Sequence, residues 1–239
     1  MTDGDNTEPR DGPRYAIYFA PAIDDPLWAF GSAVLGRDAA RDEPVAFPAA
    51  LTSRFANWAD LVEPATHYGF HATLKAPFAP APGIDGARIT ADTAALAGTL
   101  APVDLGHLAV TAMGRFVTLR PAAALPALQA MAGAVVENLD HLRAPLTEAD
   151  RARRKPETLT PKMRAYLDRW GYPYVFDEFR FHMTLSGPLA DADRPDAAEI
   201  IRRLSEPTNA PVRIAQLCVF RQLNRKSTFS ILSRHPMAG

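Results

Sequence analysis

The sequence predicts an α+β fold built as two similar lobes around a central cleft. Two observations predict it. The phrase Phe-His-x-Thr-Leu occurs twice, at residues 70–74 and 181–185. Each copy is followed by the same order of patterns, a helix and then two strands, as in a tandem duplication of one unit. Because two copies are too few for an open solenoid, we expect a closed domain with a pseudo-twofold axis and an antiparallel sheet with helices in each lobe.

The duplication also predicts the domain boundaries. We expect residues 14–239 to form a single two-lobed domain, with repeat units at roughly 68–140 and 179–235. Residues 1–13 are acidic and polar, and we expect them to form a disordered tail.

The elements of the first half follow from apolar periodicity and from glycine and proline. Pro21 ends the first strand, and Gly114 joins two later ones. Trp28, Phe30 and Trp58 are candidate packing residues in a region of short helices. The predicted elements are a strand at 15–21, short helices and loops over 25–60, a strand at 70–74, a helix at 89–100, and strands at 107–112 and 115–119.

The second half repeats this order after a longer helical region. The predicted elements are an amphipathic helix at 125–142, a charged mixture of helix and loop at 143–172, the second strand within 172–185, a helix at 197–204, and strands at 212–220 and 228–233.

Composition excludes several classes of protein. The formal net charge is -1 and the pI is near 6.6, which argues against bulk electrostatic binding to long RNA or to an anionic membrane. The lone Cys218 lies in an apolar stretch and is expected to be buried, so there is no disulfide framework. There is no apolar run of about 18 residues and no basic-then-apolar leader. We expect a cytoplasmic monomer with no membrane contact.

Strand alternation divides each repeated phrase into two faces. Successive side chains of a strand point to opposite sides, so His71 and Thr73 share one face while their apolar neighbours face the core. His182 and Thr184 repeat the arrangement in the second copy. If the lobes face each other, one site gains two imidazoles and two hydroxyls.

This set of side chains suits the cleavage of a P–O bond by water. Histidine titrates near neutral pH, so one imidazole can take a proton from water while another gives one to the leaving alkoxide. Threonine hydroxyls can donate hydrogen bonds to the non-bridging phosphate oxygens. The sequence predicts His71, His182, Thr73 and Thr184 as catalytic residues.

Other kinds of site lack their sequence signatures. No histidine or cysteine spacing typical of a zinc site occurs, so we expect neither metal nor cofactor. The chain also has no Gly-x-Ser-x-Gly elbow, no Gly-x-x-x-x-Gly-Lys-Ser/Thr phosphate loop and no Gly-x-Gly-x-x-Gly.

The twin His-x-Thr motifs resemble the two-histidine (2H), or LigT-like, phosphoesterase superfamily. The flanking sequences are similar to its branch from bacterial phosphonate-metabolism operons, the DUF1045-like branch. They are Arg-Tyr-Ala-Ile-Tyr-Phe-Ala-Pro at 14–21, Leu-Gly-Arg-Asp at 35–38, Tyr-Gly-Phe-His-Ala-Thr-Leu-Lys-Ala-Pro-Phe at 68–78, Arg-Ala-Pro-Leu at 143–146, Trp-Gly-Tyr-Pro-Tyr-Val at 170–175 and Phe-Arg-Phe-His-Met-Thr-Leu at 179–185. The resemblance extends from Arg14 to about Arg234.

The resemblance implies a bilobal LigT-like fold and metal-independent hydrolysis of phosphodiesters. It implies that His71 and His182 are the acid–base pair and that Thr73 and Thr184 hold the phosphate, without assigning acid and base. The branch implies a small phosphorylated substrate, a ribose cyclic phosphate from phosphonate breakdown being the leading candidate. An RNA-end cyclic phosphodiesterase or 2′–5′ ligase-like enzyme and a non-catalytic nucleotide- or phosphate-binding protein remain alternatives.

Several other residues are candidates for substrate binding. Tyrosines in the apolar strands can line a cleft and donate to phosphate, although tyrosine there is often part of the core. Lys75 and Arg143 can add positive charge near a phosphate, and the basic run 151–155 has an open role. The predicted substrate-binding residues are Tyr15, Tyr18, Tyr68, Lys75, Arg143 and Tyr174.

Overall fold

The computed structural model describes residues 11–238, which form an α+β fold. The predicted tail lies outside this range except for residues 11–13. The strands are β1 (Arg14–Phe19), β2 (Arg37–Asp38), β3 (Glu43–Pro44), β4 (Ala72–Phe78), β5 (Val103–Gly106), β6 (Leu108–Met113), β7 (Phe116–Pro121), β8 (Met183–Thr184), β9 (Val212–Ile214), β10 (Gln216–Gln222) and β11 (Ser230–Pro236). The α-helices are α1 (Pro26–Leu35), α2 (Ala49–Arg54), α3 (Trp58–Thr66), α4 (Gly86–Ala97), α5 (Pro126–Asn138), α6 (Glu148–Ala152), α7 (Pro161–Trp170) and α8 (Arg194–Ser205).

Seven strands form one antiparallel sheet in the order β11-β10-β1-β4-β8-β7-β6. Its two halves meet where β4 pairs with β8, and this pairing is a single one, Ala72 opposite Met183. The sheet is therefore divided at a narrow junction into a four-stranded half and a three-stranded half. The predicted α+β class with antiparallel strands is confirmed.

The same five elements follow each histidine. After His71 the order is β4, α4, β5, β6 and β7, and after His182 it is β8, α8, β9, β10 and β11. Their packing is reciprocal, because α4 packs against β10 and β11 while α8 packs against β6 and β7. The short strands β5 and β9 pair with each other. Each half of the sheet therefore contains elements from both predicted repeats, and the origin of the repeats by duplication stays a prediction.

Local sequence explains where the helices begin. Helices α1, α5 and α7 each start at a proline, whose missing N–H is not needed in the first turn. Asp85 caps α4 by accepting a hydrogen bond from the Arg88 N–H, and Thr160 caps α7 through the Met163 N–H. The many prolines thus end elements and start new ones, as the composition indicates.

The core lies between the sheet and its helices. Trp28, Phe30 and Trp58, the packing residues predicted from the sequence, are all buried, and so is Cys218. Gly31 lets α1 approach the Phe70 ring so closely that a β-carbon there would lie 2.2 Å from it. Phe70, directly before His71, is thereby fixed in the core. None of the helices between residues 11 and 238 has the length and apolarity that a membrane crossing requires.

The observed elements differ from the predicted ones at three places. The helix predicted at 125–142 ends at Asn138 and continues as a 3-10 turn at Asp140–Leu142. The strand expected within 172–185 shortens to β8, because only Met183 and Thr184 pair with neighbours. Strands β2, β3 and β5 have too few residues to show an apolar alternation in the sequence.

Candidate active site

The junction between β4 and β8 brings the two His-x-Thr motifs together. Because Ala72 lies opposite Met183, extending this antiparallel register by one residue in each direction places His71 beside Thr184 and Thr73 beside His182. Strand alternation, continued by one residue, puts all four side chains on the face opposite to those of Ala72 and Met183. The alternation predicted from the sequence and the observed register thus give one shared site.

His71 is held by its neighbours in the chain and by an aromatic ring. Its Nδ1 lies 2.9 Å from the Gly69 carbonyl oxygen, which can only accept, so Nδ1–H donates and Nε2 keeps its lone pair. The Thr73 hydroxyl is 3.3 Å from that Nε2 and donates to it. The Tyr18 ring stacks on the imidazole at a centroid distance of 3.8 Å.

His182 repeats this arrangement. Its Nδ1 lies 2.8 Å from the Arg180 carbonyl oxygen, again two residues earlier in the chain, so Nδ1–H donates here too. Both histidines therefore present Nε2 as the nitrogen that is free to exchange a proton. Each of the two histidines that precede the paired strands thus makes the same backbone contact.

The pKa values of both histidines are lowered. Burial lowers the pKa of His71 to about 4, against the opposing effect of the Gly69 carbonyl and with a contribution from the charge of His182. Burial also lowers the pKa of His182, as does the charge of Arg120, while the Arg180 carbonyl opposes both. The electrostatic effect of His182 on His71 is consistent with their proximity across the junction.

A cleft of about 440 Å³ opens beside this junction. Thr73 and His182 line it together, and aromatic side chains form much of its remaining wall. Tyr174, a predicted binding residue, is among them, and its exposed ring meets Tyr172 edge-on at 5.5 Å. The lining suits a small ligand with one polar end and one apolar face.

Arg120 on β7 is a candidate that sequence reasoning did not single out. Thr118 lies opposite Thr184 and Leu119 opposite Met183, so the same register places Arg120 beside His182. Its Nε is buried, with no hydrogen-bond partner among residues 11–238. The sequence indicates only that Thr118 and Arg120 share one face of a strand. The pairing of β7 with β8 is needed to place Arg120 near His182.

The structure brings some predicted binding tyrosines to the site and leaves one out. Tyr18 stacks on His71, and the Tyr68 ring centroid lies 6.2 Å from that of His71. Tyr15 is buried on the other face of β1, with its hydroxyl beside Gly86 at the start of α4. Tyr15 is thus not brought to the histidines.

The two predicted cationic binding residues share a carboxylate away from the histidines. The Lys75 Nζ lies 3.3 Å from Asp140 Oδ1 and 3.2 Å from the Val136 carbonyl oxygen, and the side chain is buried. The Arg143 Nε is 3.1 Å from the same carboxylate oxygen. Both residues line a second cavity beside the cleft, together with Arg153 and Arg154 of the basic run.

No three His, Cys, Asp or Glu side chains within residues 11–238 come together as the ligands of a metal ion would.

A protein family described as "Protein of unknown function (DUF1045)" matches residues 73–230. The chain belongs to the DUF1045 family. The match covers most of the chain and includes Thr73, His182 and Thr184, and it confirms the family predicted from the motifs and their flanks.

Two curated relatives of this DUF1045 member carry the name ribose 1,5-bisphosphate phosphokinase PhnN. The protein from Janthinobacterium sp. (strain Marseille) is 35% identical over 238 residues, which are 95% of this chain and 51% of the relative. The protein from Laribacter hongkongensis (strain HLHK9) is 39% identical over 182 residues, which are 76% of this chain and 42% of the relative. The chain spans about half the length of the curated relatives it matches.

Among solved structures, the DUF1045 chain is similar to E. coli LigT. The crystal structure of LigT complexed with 3′-AMP aligns with a TM-score of 0.44 and 12% identity, covering 96% of this chain and all of LigT. The complex with NADP+ aligns with a TM-score of 0.41 and 12% identity, covering 95% of this chain and 99% of LigT.

Proposed function

We propose that this protein is a phosphoesterase that hydrolyses a small cyclic phosphate by acid–base catalysis with two histidines and without a metal. One observation carries this proposal. His71 and His182 directly precede the paired strands β4 and β8, and a carbonyl two residues earlier in the chain accepts the Nδ1–H of each, which leaves Nε2 for proton transfer. A protein that only binds phosphate does not need two such imidazoles.

The lowered pKa values support separate roles for the two histidines. The pKa of His71 is about 4, so this imidazole is neutral at pH 7 and suits a general base. Its Nε2 takes a proton from water as the water oxygen attacks phosphorus. The bond from phosphorus to one ring oxygen then breaks, and His182 Nε2 gives its proton to the departing alkoxide. The product is a phosphate monoester with a free hydroxyl, and solvent resets both histidines.

The neighbouring side chains support stabilisation of the phosphoryl group. The hydroxyls of Thr73 and Thr184 can donate to its non-bridging oxygens, and in the proposed mechanism Thr73 gives up its hydrogen bond to His71 for one to phosphate. The unpartnered Nε of Arg120 beside His182 supplies positive charge where negative charge develops. An anion bound there also raises the pKa of His182, which favours its acid form.

The relatives support a ribose phosphate as the substrate class. Their name describes a kinase acting on a ribose bisphosphate. The present chain matches about half of each relative and has no Gly-x-x-x-x-Gly-Lys-Ser/Thr phosphate loop. We infer that the matched half carries a separate reaction on a chemically related compound. A ribose cyclic phosphate fits the cleft of about 440 Å³ in size.

The proposal is tested by incubating purified protein and a chelator with three kinds of substrate: ribose 1,2-cyclic phosphate, nucleoside 2′,3′-cyclic phosphates, and oligonucleotides that end in a 2′,3′-cyclic phosphate. Phosphorus NMR follows the products. We expect conversion to a phosphate monoester. His71→Ala and His182→Ala are each expected to lower kcat by about 10²- to 10⁴-fold.

His107→Ala is the matched control, because His107 is exposed and contacts Asn209 instead of the motif residues. Full activity in both motif variants would disprove the assignment of the histidines. Loss of activity with the chelator would disprove the metal-free mechanism, and activity on cyclic-ended oligonucleotides alone would identify RNA ends as the substrate.

A further inference from the structure

A second cavity, of about 240 Å³, lies beside the cleft and is strongly basic. We call it the arginine pocket. Asp150 is the only carboxylate among the described residues that line it. Its cationic lining residues are Arg14, Lys75, Arg143, Arg153, Arg154 and Arg225.

Half of these cations already contact a carboxylate. Lys75 and Arg143 share Asp140, and Arg225 lies 2.6 Å from Asp150. These pairs fix part of the pocket wall and neutralise part of its charge.

Within residues 11–238, the other three have no carboxylate partner within 4 Å. Of these, Arg14 is half-buried and donates from Nε to the neutral Gln222 side chain at 2.7 Å. Arg154 is half-buried too, and its guanidinium lies 5.0 Å from the centre of the Tyr172 ring. Burial and the nearby charge of Arg225 lower the pKa of Arg14. Guanidinium groups gathered at this density without enough carboxylates form a site that favours an anion, phosphate above all.

The arginine pocket is connected to the histidines through aromatic side chains. Tyr172 lines both the pocket and the cleft that contains Thr73 and His182. Tyr68 lines the pocket, with its ring centroid 6.2 Å from that of His71. Arg14 and Tyr18 share one face of β1, four residues or roughly 13 Å apart along the strand. A ligand the size of a sugar can therefore have one group at the histidines and another in the pocket.

We propose that the arginine pocket binds a phosphate monoester of the same substrate whose cyclic phosphate lies between His71 and His182. The substrate class is then a pentose with two phosphates, a cyclic diester at one end and a monoester at the other. The reaction at the cyclic phosphate rests on the proposed function. The binding of the second phosphate rests on the arginine pocket alone. It also gives Arg154 and Arg14 a role in specificity.

The test compares ribose 1,2-cyclic phosphate with the same compound carrying a phosphate on O5. In the native protein, kcat/KM is expected to be at least about tenfold higher for the 5-phosphorylated compound. Arg154→Ala and Arg14→Ala are each expected to lower that ratio by about tenfold, largely through KM. These two residues come from separate segments, so a folding defect in one variant leaves the other informative.

Arg151→Ala is the matched control, because Arg151 lies on α6, three residues before Arg154, but pairs with Asp168 and does not line the pocket. Its ratio is expected to equal that of the native protein. Equal kcat/KM values for both compounds in the native protein would overturn the proposal, as would an unchanged ratio in both pocket variants.

Calorimetry separates failure of the pocket from failure of the reaction. If neither compound is hydrolysed, ribose 5-phosphate and ribose are titrated into the native protein and into Arg154→Ala. Binding of ribose 5-phosphate but not ribose, lost in the variant, supports the pocket even though the proposed reaction has failed. Absence of such binding overturns the pocket as well.

Discussion

At the scale of residues, the site depends on two short backbone contacts. Gly69 supplies the carbonyl that orients His71, and its positive φ of 75° is one that residues with a β-carbon rarely adopt. A β-carbon at Gly69 would also lie 2.4 Å from that of Ala39. Gly69 therefore allows the backbone conformation before His71 and also supplies the carbonyl that orients the imidazole.

The lowered histidine pKa values predict an acidic optimum for kcat/KM. In the proposed mechanism His71 acts as a base only when it is neutral, so activity falls as the pH drops through its pKa of about 4. In that mechanism His182 acts as an acid only when it is protonated, so activity falls as the pH rises through its pKa, which burial and the charge of Arg120 lower. We expect the maximum of a pH–kcat/KM profile between the pKa values of the two histidines.

Arg120→Gln provides the internal check on that profile. Because the charge of Arg120 lowers the pKa of His182, the variant is expected to shift the alkaline limb to higher pH and to reduce the maximum rate. An acid limb near 6.5, or an alkaline limb that the variant leaves in place, would contradict these roles.

Individual residues of the site were predictable to different extents. His71, Thr73, His182 and Thr184 follow from strand alternation within one short phrase, which needs no knowledge of distant contacts. The position of Arg120 depends on the register between β7 and β8, and the sequence of either strand alone does not determine that register. Residues that reach a site across strands are therefore the ones that sequence reasoning misses.

At the scale of elements, irregular pairing explains why Lys75 does not follow Thr73 toward the histidines. The register between β1 and β4 shifts on both sides of the pair Ile17–Lys75. Simple alternation would have placed Lys75 beside Thr73, but bulges of this kind redirect side chains. The Lys75 ammonium instead reaches the end of α5, where the burial around it lowers its pKa to about 8 against the effect of Asp140.

Among the charged residues of this region, Asp140 is expected to be the one whose substitution lowers the stability of the fold most. It contacts Lys75 from β4, Arg143 from the following segment and Arg169 from α7. Asp140→Asn leaves these cations without their carboxylate and is expected to lower the free energy of unfolding by about 3 kcal/mol. Urea denaturation measures this change.

Two further variants make the prediction specific. Adding Lys75→Met to Asp140→Asn removes the most deeply buried of the cations left without a carboxylate and is expected to restore part of the loss. Asp168→Asn breaks an exposed pair with Arg151 and is expected to cost less than about 1 kcal/mol. Equal effects of Asp140→Asn and Asp168→Asn would show that burial is not the cause.

Longer elements were predictable and the shortest were not. The predicted strands at 15–21, 107–112 and 115–119 correspond to β1, β6 and β7, because each has enough residues for its apolar pattern to be read. Strand β8 has only two residues, and its pairing with both neighbours depends on the tertiary structure. The predicted strand at 212–220 is divided at Ala215 into β9 and β10, which join different sheets.

At the scale of the whole molecule, the reciprocal packing of α4 and α8 predicts that the halves do not fold alone. We expect fragments 1–155 and 156–239 to lack a cooperative thermal transition when expressed separately, because each holds helices and strands whose partners lie in the other. Co-expression is expected to restore the transition, measured by circular dichroism. A cooperative transition in either fragment alone would contradict this expectation.

The position of β1 in the sheet also has a consequence for synthesis in the cell. One edge of β1 can pair early with β4, but the other pairs with β10, and Arg14 contacts Gln222 across 208 residues of sequence. At about 5–20 residues per second, a ribosome needs roughly 10–40 s to make that interval. During this time the nascent chain carries an unpaired apolar strand edge, which chaperones bind and which aggregates readily. Translation speed and chaperone supply are thus expected to govern the yield of this protein more than the strength of its finished core.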